Sequence, residues 1–161
     1  MTNNDIAQKL ALLPEDLAER NVQSWNDVIN FFGRPVDVFI GEYFPYISEL
    51  HEIATAFSKS EQAKLFRAEG QVYNTLIIST SDGQELKIGE PYLRVFVGRG
   101  FLTIQYVTPY TAKEKEKSNI NIRIMGGVED EIMILSADNI MTALQPMLNL
   151  LWDETRGKKK A

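Results

Sequence analysis

Tyr92-Leu93-Arg94-Val95-Phe96-Val97-Gly98-Arg99-Gly100-Phe101-Leu102-Thr103-Ile104-Gln105-Tyr106 is a pair of alternating runs joined by a Gly-Arg-Gly step. Successive side chains of a strand point to opposite faces, so an alternating run presents one apolar row and one mixed row. A two-residue loop at Arg99-Gly100 pairs Val97 with Leu102, Val95 with Ile104 and Leu93 with Tyr106. That register leaves one face of the hairpin wholly apolar and gives the other Arg94, Phe96, Thr103 and Gln105. A three-residue loop would mix the two faces, so the shorter loop is expected.

Two more hairpins are expected on either side. Asp82-Gly83 tolerates the positive φ of a tight turn and would pair Ser79 with Leu86 and Ile77 with Ile88. A third hairpin would join residues 119–125 to 131–135 through a loop at 126–130, with Ile124 opposite Ile132 and Ile122 opposite Ile134. The run Lys113-Glu114-Lys115-Glu116-Lys117 between the second and third hairpins reads as a solvated connector.

Helical patterns flank these strands. Ile6, Leu10 and Leu13 recur at helical spacing, and Pro14 suits the first turn of a following helix. Ser24-Trp25-Asn26-Asp27 has the form of a capping box, opening a helix with Trp25, Val28, Ile29 and Phe32 on one face and a stop at Gly33. Val36, Val38 and Ile40 alternate as in a strand. Pro45 would start a helix with Ile47, Leu50, Ile53, Ala54 and Phe57 inward, and a short helical piece is expected from Ser60 to Glu69. Ser136 would cap a last amphipathic helix bearing Ile140, Met141, Leu144, Met147, Leu148, Leu151 and Trp152, kinked or broken at Pro146. The expected organisation is one α+β domain over residues 1–157, with a helical part at 1–70, a largely antiparallel hairpin sheet at 72–135 and a C-terminal helix at 137–156. Lys158-Lys159-Lys160-Ala161 reads as a disordered basic tail.

Composition narrows the chemistry. With 44% hydrophobic residues over 161, the chain is too apolar for intrinsic disorder, and it contains no apolar run long enough to span a bilayer. The absence of cysteine and the single histidine, His51, exclude a disulfide framework, a thiol nucleophile and multi-histidine zinc sites. No basic leader precedes the first apolar stretch, so a cytoplasmic location is expected. The net charge of −5 is uneven: residues 1–60 hold nine acidic and four basic side chains, whereas 61–127 hold seven and nine. An acidic first third steers toward a basic partner and disfavours bulk binding to nucleic acid or anionic lipid.

Catalytic motifs are weak. There is no HExxH, GxSxG or GxxxxGK[ST] string. His51 stands near Glu49 and Glu52, but neither lies a helical turn away from it, so a general base is not favoured over an ordinary helix histidine. Glu85-Leu86-Lys87 has the E-x-K form of metal-dependent nucleases, yet the preceding strand offers no second carboxylate. Arg99-Gly100-Phe101 through Tyr106 resembles the basic-Gly-aromatic start and aromatic end of an RNA-recognition strand, with Val38-Phe39-Ile40 as the companion. Thr103 stands where the central stacking aromatic belongs, and the two strings lie roughly 60 residues apart, too far for a compact module of that kind.

The expected function is therefore a non-catalytic, cofactor-free protein-binding domain of the inhibitor, immunity, chaperone or counter-defence type, with a basic protein as partner. Its contact residues would be Asp16, Glu19, Asp27 and Asp37 for steering and Tyr43, Phe44 and Tyr46 for contact area. The alternatives are a single-stranded nucleic-acid binder using Arg94, Phe96, Arg99 and Phe101, and a metal-dependent nuclease around Glu85-Leu86-Lys87.

Overall fold

A computed structural model describes residues 3–33, 47–71, 74–82, 90–97, 102–109, 126–134 and 140–157. Within them, helices α1 (Asn3–Leu10), α2 (Leu17–Phe32) and α3 (Ile47–Ser58) are followed by a 3-10 turn at Glu61–Lys64. Strands β1 (Arg67–Gln71), β2 (Thr75–Ser79), β3 (Tyr92–Val97), β4 (Leu102–Pro109) and β5 (Gly126–Ile134) come next, and helix α4 (Ile140–Thr155) closes the order. The strands form one sheet in chain order, each antiparallel to its neighbour. This is an α+β meander with helices at both ends of the chain.

The central hairpin has the register that its alternation predicts: Val97 opposite Leu102, Val95 opposite Ile104 and Leu93 opposite Tyr106. All six side chains are fully buried. They join Leu76 and Ile78 of β2 and the apolar rows of the helices in one core. An aromatic chain runs through it. Trp25 of α2 stacks on Phe57 of α3 with centroids 4.2 Å apart, Phe57 meets Phe66 edge-on, and Phe66 meets Trp152 of α4 edge-on at 6.1 Å. The inward residues of α3 follow the expected spacing, with Leu50, Ile53, Ala54 and Phe57 buried.

The other two hairpins differ from expectation. Ile77 lies opposite Glu69 on one side and Arg94 on the other, so both of its backbone edges are taken and the pairings Ile77 with Ile88 and Ser79 with Leu86 are excluded. The Asp82-Gly83 signal is local, whereas the neighbours of β2 are set by the burial of Leu76 and Ile78 between flanking strands. The sheet also begins earlier than residue 72. Only Glu61–Lys64 is helical in the segment expected as helix up to Glu69, and Arg67-Ala68-Glu69-Gly70 runs as strand β1. Its large-small alternation has period two, and Gly70 is a poor helix former.

The loop expected at 126–130 is strand. Gly126 to Asp130 belong to β5, which pairs with β4 from Pro109 to Leu102, so Ile132 lies opposite Ile104 and Ile134 opposite Leu102. A bulge accommodates the extra residue Glu129, because Asp130 faces Tyr106 while Val128 faces Val107. The glycines and acids that read as a turn are tolerated in a strand end and a bulge. Residues 119–125, including Ile122 and Ile124, lie outside the described residues.

Two helix signals are also displaced. Helix α2 begins at Leu17, after Asp16 in a left-handed conformation (φ 70°), so Ser24 sits in mid-helix and caps nothing. It instead donates to the Asn21 carbonyl (2.6 Å) and accepts the Ala68 amide of β1 (2.9 Å). The helix does end at Gly33, whose amide donates to the Ile29 carbonyl. Helix α4 is continuous through Pro146 rather than broken there. Pro146 is exposed, on the side where water can satisfy the carbonyl it leaves without a donor.

Replacing Ser24 by Ala should therefore strand the Ala68 amide and lower stability by about 1–2 kcal/mol, the cost of an unsatisfied buried donor. Asp27→Ala, removing an exposed mid-helix side chain, should stay within about 0.5 kcal/mol of the parent. Urea midpoints of the two variants check this, and equal losses would restore the capping box.

Candidate functional site

Helix α2 turns two adjacent rows toward the rest of the molecule. One row, Leu17, Asn21, Trp25, Val28 and Phe32, is buried. The next row, Arg20, Ser24, Asp27 and Phe31, recurs at steps of three and four and runs along the outer edge of β1. An unpaired strand edge carries amides and carbonyls that need partners. Here the helix supplies a partner to Ala68, whose amide donates to Ser24, and to the backbone leading into the strand: the Trp25 indole donates to the Phe66 carbonyl (2.9 Å) and Asn21 donates to the Lys64 carbonyl (2.8 Å).

A cleft of about 480 Å³ remains between the two elements, lined among others by Arg20, Asp27, Phe31, Arg67, Glu69 and Asp82. Gly70 makes the approach possible, since a Cβ there would stand 2.5 Å from the Phe31 ring. Arg20 donates to the Asp82 carbonyl (2.9 Å) and ties α2 to the segment that follows β2. Asp27 is exposed at the opening and accepts from Gln23 (2.9 Å). Deeper in, Arg67 is only 8% exposed, and its Nη1 lies 3.8 Å from Glu69 Oε2. That separation gives charge compensation without a hydrogen bond. Glu69 Oε2 is shielded from solvent and accepts no hydrogen bond.

Of the residues singled out in the sequence, Asp16, Glu19 and Asp27 are exposed on α2 or at its start, and Asp27 alone of these lines the cleft. Asp37, Tyr43, Phe44 and Tyr46 lie outside the described residues, as do Arg99, Phe101, Glu85-Leu86-Lys87 and the lysine tail. Arg94 and Phe96 are together on β3 and half-buried. The Arg94 guanidinium lies over the Phe96 ring (4.9 Å to its centroid) and donates to Gln105 from Nε (2.9 Å) and from Nη2. Tyr106, the aromatic end of the same string, is fully buried and donates to Glu154 Oε2 (2.7 Å). His51 packs its ring near Gly33 at the end of α2. The residues that sequence reasoning missed are Arg20, Arg67 and Glu69. The period-two pattern of 67–70 was the available signal for the last two.

Among the described residues, no group of three or more His, Asp or Glu side chains is arranged to hold a metal ion. No described helix is long and apolar enough to cross a membrane. Neither a protein-family model nor a curated protein nor a solved structure matches this chain.

Arg67 is the buried member of this pair and Glu69 is partly exposed, so Arg67→Met should cost about 1 kcal/mol through the lost pair and stem packing. The double variant Arg67→Met/Glu69→Gln should recover at least half of that loss. Thermal or urea unfolding of the single and double variants measures it.

Proposed function

We propose that this chain is a non-catalytic protein-binding domain, of the inhibitor, immunity, chaperone or counter-defence type, that engages a basic protein through the acidic side of α2. One observation carries the reading: Asp16, Glu19 and Asp27 are exposed along a helix whose neighbouring row is locked into the core through Trp25. Charges on a rigid element steer association and lose little entropy when the complex forms. In this reading Asp37 adds to the steering charge, and Tyr43, Phe44 and Tyr46 supply contact area.

The alternative of single-stranded nucleic-acid binding draws less support. Base stacking needs an open aromatic face, and Phe96 is already covered by Arg94 while Tyr106 is in the core.

Affinity capture from a nuclease-treated lysate, repeated across a salt series, tests the choice. Charge reversal at Asp16, Glu19 and Asp27 to lysine should abolish capture of a protein partner, and Arg99→Ala with Phe101→Ala should leave it intact. Recovery of nucleic acid, with loss on the second pair of substitutions, is the opposite outcome and would reverse the reading.

A further inference from the structure

We propose that α1 is a latch over Trp152. It swings away on residues 11–16 while the rest of the fold stays intact, and Lys9 holds in cis the place over the indole that a cationic side chain of the partner takes when the latch is open. The second half rests on the protein-binding reading above for the partner's charge. Little holds α1 in place. It has eight residues, and helices shorter than about 12–15 residues are marginal in water, so its order depends on packing. Among its described side chains only Ile6 is buried, with Lys9 and Leu10 half-buried. By contrast, α2 buries five residues, and α4 buries Leu144, Leu148, Leu151 and Trp152 among others. Elements with few buried apolar contacts open locally, at lower cost than global unfolding.

The connection to α2 has the form of a hinge. Ala11, Leu12, Pro14, Glu15 and Asp16 are exposed, and Leu12 and Leu13 donate only to carbonyls three residues back. Asp16 stands at φ 70°, a conformation that side-chain-bearing residues adopt at some cost, so a change of φ there relieves strain. Hinged segments absorb their motion at such element-terminal residues. What the latch covers suits a cation. Trp152 is 3% exposed, and the Lys9 ammonium stands over its ring, 5.6 Å from the centroid. Tryptophan offers the strongest aromatic face for a positive charge and is among the commonest anchors of protein interfaces. A single lysine holds that face weakly, so a basic partner that brings several cations at once can displace it.

Hydrogen exchange of the full chain, followed by NMR in a urea series below the unfolding transition, tests the latch without a partner. Amides of Lys9, Leu10 and Ala11 should exchange about 100-fold faster than those of Trp25 and Leu148, and independently of urea. Ile6→Ala should speed exchange in α1 about ten-fold more and leave α2 and α4 unchanged, and Lys9→Gln should act the same way by about three-fold. If α1 exchanges together with the core, or if Ile6→Ala speeds all three helices alike or unfolds the chain, α1 is integral to the fold and the proposal fails. Hexa-arginine amide at fixed ionic strength then probes the place of the cation. The indole N–H signal of Trp152 should shift saturably while that of Trp25 stays, and Ile6→Ala should bind the peptide about ten-fold more tightly because its open fraction is larger. No shift at Trp152, or equal affinity of the two chains, overturns the site. Because hydrogen exchange needs no partner, failure of the latch is separable from failed capture in the charge-reversal experiment.

Discussion

The indole of Trp25 must be buried and must also find an acceptor, and the rest of the structure is arranged around that double requirement. Its ring is fully enclosed and stacked on Phe57, while its N–H reaches the Phe66 carbonyl at the head of β1. One side chain therefore holds α2 against α3 and against the edge of the sheet. Burying a Trp contributes several kcal/mol through its area, and the hydrogen bond removes the cost of desolvating the N–H. Phe66 passes the contact on to Trp152, so the C-terminal helix joins the same aromatic chain. Lys9 then lies over the Trp152 ring, 5.6 Å from its centroid, which brings α1 to the assembly.

The constraint also shapes the surface. A helix clamped along an edge strand blocks pairing with another chain at that edge. Trp25, Ser24 and Asn21 engage backbone groups of residues 64 to 68, and the row beside them is left to line a cleft. The acidic groups of α2 are thereby fixed relative to Arg67 and Glu69 of the strand. At the far end of β2, Thr80 donates to Thr155 (2.7 Å), and Arg156 donates to the Thr80 carbonyl (2.8 Å). The reciprocal Gln62–Gln145 amide pair adds a tie from α4 to the 3-10 turn.

The second face of the sheet is not a plain solvent face. Ile77, Ser79 and Thr103 are each 1% exposed, although they point away from Leu76, Ile78 and Leu102. The alternation in 92–106 identified which residues share this face, but alternation carries no information about what covers a face. The same limit explains the missed part of the cleft. Asp27 was legible as an exposed acid on a helix. Arg67 and Glu69 were not, because they were read at the end of a helix, and their meeting with α2 depends on a strand edge more than 40 residues away in sequence from Ser24.

Local pattern alone thus carried the α+β class, the helix stop at Gly33, the inward row of α3 and the register of β3 with β4. Each of these depends on side-chain periodicity or turn chemistry within a few residues, and a one-residue slip in that hairpin would put its apolar row on the wrong face. The partners of β2, the strand character of Gly126 to Asp130 and the mid-helix place of Ser24 were settled by contacts between distant segments. In each case a short turn or cap signal worth about 1 kcal/mol was outweighed by burial of whole apolar rows and by strand-edge hydrogen bonds that exist only once the chain has folded.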